Sequence, residues 1–149
     1  MIRTTLFLAA VASLIPAAAR AQAPCSLLTP DQIKAVLNSP VDPGQPGVAK
    51  DSNDCTWSDT RGEDRVYIAL QPRASFQTTR TKIEKAGGHT TSVTGVGEDA
   101  FLVSDDSSSA LYVLTKNHLL ILTVTGPNAT GEQNQAFEKT LATQLLPKL

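Results

Sequence analysis

Two cysteines, two histidines, a few clustered carboxylates and many hydroxyls are the residues in this 149-residue chain whose types could do chemistry. Nucleophilic catalysis needs a serine or cysteine within reach of a histidine and an acid. Serines are plentiful, but no Gly-x-Ser-x-Gly elbow presents one. His89 follows a Gly-Gly pair and His118 opens a strand, so both read as exposed turn residues. A zinc site is short of ligands, because neither histidine stands at finger-like spacing from Cys25 or Cys55. There is also no Cys-x-x-Cys to signal a reactive thiol. Asp51, Asp54 and Asp59, and the Asp105-Asp106-Ser107-Ser108-Ser109 run, are acidic enough to suggest weak calcium binding. They lack EF-hand spacing and read as solvated loops. Gly95-Val96-Gly97 precedes a strand rather than a helix and has no following Lys-Ser, so it reads as a tight turn, not a phosphate loop. The residues thus assign no catalytic side chain, cofactor or metal. Trp57 and Tyr67 remain as the aromatic residues best suited to contact a partner. Trp57 has a competing place inside the core, against a disulfide. Asn128-Ala129-Thr130 is formally a glycosylation sequon, but its threonine serves better as a helix cap.

The start of the chain gives these residues a setting. Arg3 precedes a ten-residue apolar run, Leu6 to Ile15, which Pro16 ends. Ala21-Gln22-Ala23 places small residues where a signal peptidase needs them. This predicts a signal peptide over 1–23, cleaved after Ala23, and a periplasmic or secreted mature chain. The run is shorter than the roughly 20 residues a membrane-spanning helix requires. Of the 13 Lys and Arg residues, loss of Arg3 and Arg20 leaves 11 against 14 Asp and Glu, a net charge of −3. A weakly acidic domain has no broad attraction to nucleic acid or anionic lipid. Cys25 follows Gln22-Ala23-Pro24, which departs from a lipid-attachment pattern. With a single other cysteine in an exported chain, Cys25 and Cys55 are expected to form a disulfide.

The elements that must position these residues read as α-β-β-α-β-β-β-β-α: one α+β domain over 24–149, a mainly antiparallel sheet of about six strands, and three packed helices. Thr29-Pro30-Asp31-Gln32 is a capping box with proline at the first helical position, and Ile33, Val36 and Leu37 form the stripe behind it. Residues 39–54 carry three prolines and two glycines and read as a long loop without a regular element, a surface connection held at its far end by Cys55, with a mobile or functional role as the alternative. "CTWSD" and "RVYIALQ" are strands, the second a clean alternation of Val66, Ile68, Leu70 against Tyr67, Ala69, Gln71. A helix is predicted from Ser75 or Phe76 to about Ala86. Phe76, the Arg80 stem, Ile83 and Ala86 form its inner side, and Gly87-Gly88 closes it. "TTSVTG", "DAFLVSD", "SALYVLTK" and "HLLILTVTG" follow as strands. The last is apolar on both faces, which predicts a central position. Thr130 to Gln133 repeats the capping box, and Ala136, Phe137, Leu141, Leu145 and Leu146 are expected to form the buried face of the final helix.

"CSLLTPDQIKAVL", "CTW" and "VTGVGEDAFLV" together resemble a family of small exported bacterial domains, many lipid-anchored, of uncharacterised function. The resemblance implies a cysteine before the first helix paired with one in the first strand, here Cys25 and Cys55, and a Gly-x-Gly-acidic-Ala lead into a later strand, here Gly95 to Ala100. The layout also looks like the folds of the photosystem II oxygen-evolving-complex P subunit and of the nuclear-transport factor Mog; this is an analogy of fold alone. The expected function is therefore a non-enzymatic binding or accessory role, met by a monomer with an unidentified protein or envelope component as partner. The competing expectations are a secreted enzyme inhibitor presenting loop 39–54 or 105–109, and a small hydrolase.

Overall fold

The computed structural model describes residues 23–49, 51–105, 108–126 and 130–149. The signal-peptide reading of 1–22, and Asp106, Ser107 and Asn128, lie outside the described residues. The chain forms α1 (Pro30–Leu37), β1 (Gln45–Pro46), β2 (Asp54–Ser58), β3 (Arg65–Pro72), α2 (Ser75–Lys85), β4 (Thr90–Ser92), β5 (Asp99–Ser104), β6 (Ser109–Leu114), β7 (His118–Thr125) and α3 (Gly131–Leu145). The strands make one antiparallel sheet in the order β1-β2-β3-β7-β6-β5-β4. The α+β class, its antiparallel sheet and its three helices are as the sequence predicts.

β7 lies fourth of seven, at the centre of the sheet, and, like β6 and β5, it offers apolar residues to both faces. Leu120, Leu122 and Val124 join Val66, Ile68, Leu70, Leu111 and Val113 in the larger core, which α1 and α3 cover. Leu119 joins Phe76 and Phe101 in a smaller core beneath α2. Both expected capping boxes form: Thr29 Oγ1 accepts from Gln32 N, and Thr130 Oγ1 from Gln133 N, at 3.3 Å each.

α2 has a thin apolar stripe, and an aromatic stack compensates for it. Phe76 meets Phe101 at 5.2 Å, and Phe101 lies flat on Tyr112 at 4.6 Å. The Arg80 guanidinium sits 5.4 Å above the Phe101 ring and pairs with Glu84 at 3.2 Å. Cation–π contacts of this kind contribute about 0.5–2 kcal/mol.

The expected disulfide is present. Cys25 and Cys55, 30 residues apart, are joined with their Cα atoms 5.1 Å apart. It fastens the turn before α1 to the second strand of the sheet. Trp57 belongs to the same core and is 1 % exposed.

Three readings of the chain need correction. Residues 39–54 are not without regular structure: Gln45 and Pro46 pair with Thr56 and Cys55 as an edge strand. Gly44 permits this approach, since a Cβ there would lie 2.6 Å from Cys55 Sγ and 2.7 Å from the Trp57 ring. The buried face of α3 is wider than its apolar stripe. Leu141 and Leu145 are buried and Phe137 and Leu146 pack against the core as expected, but Ala136 is exposed, and Asn134, Glu138 and Ala142 turn inward as well. His118 is half-buried rather than exposed, because its partner across the ladder is Pro72 at the end of β3.

Candidate binding trough on the open sheet face

The larger core occupies one face of the sheet; on the other, the smaller core under α2 involves β5, β6 and β7. The opposite end of that second face, on β2 and β3, lies open. Its side chains alternate with the core ones by the period of the strand. Tyr67 on β3 therefore points to the open face because Val66 and Ile68 point to the core.

The segment leading into β2 is fixed beside this face by Asn53. Its backbone oxygen accepts from Leu70 N at 2.8 Å, and its side-chain amide donates to Leu70 O at 2.8 Å. The asparagine thus bonds both backbone groups of one β3 residue, as a paired strand residue would. The 49–52 turn closes with Ser52 N donating to Ala49 O at 2.9 Å. At the far end, Thr115 Oγ1 accepts from His118 N and donates to His118 O, both at 3.0 Å, which fixes the β6–β7 turn.

Together these pieces border a wide, open trough of about 800 Å³. Asp51, Asn53 and Asp54 form one side, Tyr67, Ala69 and Gln71 the floor, and Asn117 and His118 the far wall. His118 Nδ1 is shut off from solvent with no hydrogen-bond partner among the described residues. Tyr67 also borders a smaller hollow of about 240 Å³ with Thr56, Arg65, Thr123 and Thr125. It stands between the two as a shared ridge. Burial first, then the charge of Asp54 and the nearby Tyr112, push the Tyr67 phenol pKa up. The hydroxyl stays protonated and can both donate and accept.

The structure separates the other residues singled out from the sequence. Trp57 lies in the core and offers no surface in this conformation, whereas Tyr67 is accessible. Asp51 and Asp54 line the trough, but Asp59 lies in the β2–β3 hairpin, where its carboxylate accepts from Glu63 N at 2.7 Å and Asp64 N at 3.2 Å. Burial raises the Asp59 pKa, but these bonds and the Arg61 guanidinium outweigh it and hold the group below its usual value. No cluster of three or more His, Cys, Asp or Glu able to hold a metal occurs among the described residues. His89 is exposed. Sequence reasoning missed His118 and Asn53, and the Asn-Asp pair just before Cys55 was the available signal for the latter.

Comparison of the chain with protein families, with curated proteins and with solved structures finds no significant match. No described helix is long and apolar enough to cross a membrane.

Proposed function

We propose that the protein is an exported, non-enzymatic binding module of the bacterial envelope or extracellular space, and that it meets its ligand in the trough beside Tyr67. The single observation that carries this reading is the open trough itself. A large part of one sheet face is left without a helix, and is lined by planar polar side chains around a tyrosine ring. Ligand sites are concave, with a few placed polar groups that fix orientation. The disulfide supports export, since such bonds persist in oxidising compartments. The signal-like start and the resemblance to small exported domains point the same way.

The lining also suggests the ligand. Asp51 and Asp54 disfavour an anion. Acids accept hydrogen bonds, amides do both, and imidazole does either, which suits hydroxyl groups that donate and accept. Tyr67 adds a flat apolar surface with a polar tip. A neutral, hydroxyl-rich ligand such as a saccharide fits that set. The test is a glycan array probed with the labelled protein and with Tyr67→Ala. Retention of the native protein on defined glycans, reduced at least about tenfold in the variant, supports the reading. No retention on any glycan, or retention indifferent to Tyr67, overturns it.

A further inference from the structure

On the other side of the sheet, the first turns of α3, the end of α1 and the β2–β3 hairpin enclose a second cleft of about 330 Å³. Asn134 lines it, yet the residue is 0 % exposed. Its backbone N–H is satisfied by Thr130 O at 2.9 Å, but neither atom of its side-chain amide has a hydrogen-bond partner among the described residues. Leaving a buried amide unpaired is destabilising, because it has given up its water without gaining a partner. Glu138, one turn further along the helix, repeats the pattern: Oε1 is bonded and Oε2 is not. The ring of Phe137 forms an apolar wall, and Arg61 and Asp64 stand on the hairpin side. The hairpin is closed by Asp59 N donating to Asp64 O at 2.9 Å, and Arg61 pairs with Glu63 at 3.1 Å.

We propose that this cleft is a second binding site, independent of the Tyr67 trough, for a small planar molecule carrying a donor and an acceptor side by side. A side-chain amide presents an N–H and a carbonyl oxygen along one edge. The complement is the same edge reversed, as asparagine pairs with the donor–acceptor edge of adenine in nucleic acids. A primary carboxamide has that edge, and so does a lactam or nucleobase ring. A secondary amide in its ordinary trans form does not, because its N–H and C=O point in opposite directions. The volume, about 330 Å³, sits at the small end of ligand sites and suits a single ring. The Phe137 wall favours a flat ring behind the polar edge.

The test uses benzamide and uracil as probes, with acetophenone and benzoate as controls that keep the ring but lack the donor. Each is titrated into the ¹⁵N-labelled protein while the Asn134 side-chain amide signals are followed. Millimolar binding of benzamide or uracil that shifts those signals, with controls at least about tenfold weaker, supports the site. The preferred probe distinguishes a carboxamide from a cyclic edge. Asn134→Leu should abolish the binding. It should also raise the melting temperature, since it removes an unpaired buried amide. Asn134→Ala, which removes the amide without adding bulk, guards against a Leu variant that fails to fold, and should weaken binding likewise. The site is overturned if neither probe binds, if shifts leave Asn134 untouched, or if the folded variants bind as tightly as the native protein.

Discussion

Glu138 Oε1 accepts a hydrogen bond from Ser109 Oγ at 3.0 Å, joining the middle of α3 to the first residue of β6 inside the core. The same oxygen accepts from Val124 N at 3.2 Å on β7. Burial pushes the Glu138 pKa up to about 7; the Val124 and Ser109 bonds and the charge of Lys139 pull it down without cancelling that effect. An acid raised in the folded state binds a proton that the unfolded chain has already released. Stability contributed by this group therefore falls as pH rises from about 4.5 to about 7, and is flat above. The span corresponds to roughly 3 kcal/mol. In Glu138→Gln that fall should vanish, and the variant should be the more stable protein at pH 8. Urea unfolding of both proteins at pH 5 and pH 8 checks it. Parallel pH dependence in the two would show that Glu138 does not titrate as its surroundings require.

Removing the Cys25–Cys55 bond should cost about 3–4 kcal/mol, the loop-closure entropy of a 30-residue span. The Cys25→Ser/Cys55→Ser double variant should melt far below the native protein. It should do so in reducing and oxidising buffer alike, whereas the native protein should approach it only when reduced. Calorimetric melts in both buffers make the comparison.

Gly44→Ala should destabilise the fold by about 1–3 kcal/mol through overpacking. The added methyl would meet a disulfide sulfur and a core indole, neither with room to move. Gly62→Ala should cost about 1 kcal/mol for a different reason. Its site is open space but its φ is +72°. Thermal melts of the two variants, with near-ultraviolet circular dichroism of Trp57, separate the mechanisms. The Trp57 signal should change in the first and not in the second.

Thr130→Ala removes the side chain that caps α3 and should cost about 1 kcal/mol. Thr29→Ala should cost a similar amount at α1. Hydrogen exchange should report faster opening in the first turn of the altered helix alone. If Thr130→Ala instead speeds exchange across β6 and β7, the helix and the strands open as one unit through Glu138.

Local signals were legible before the structure, and long-range ones were not. Both capping boxes lie within four residues of sequence and form as read. The position of β7 follows from Leu119 and Leu120 facing opposite ways. The face of α3 was read only in part: its leucines and Phe137 pack as their spacing predicts, but Glu138 faces inward because it bonds Ser109 and Val124 on the sheet, a role that a hydropathy pattern does not carry, and Asn134 is buried beside it. The trough was half legible. Tyr67 was visible as an aromatic on one side of an alternating strand. That Asn53 bonds Leu70, and that His118 stands opposite Pro72, depends on pairings between segments far apart in the chain. No period or cap encodes those.

The sheet ends at one edge in Gln45–Pro46 and at the other in Thr90–Ser92. A strand seeking a partner needs a run of free N–H and C=O groups, and here it finds two or three residues, one of them a proline with no N–H to give. The sheet is therefore finite by design of its rims. Molecules pressed together at high concentration have almost nothing to zip onto, so crowding alone should not seed fibrils from the folded state.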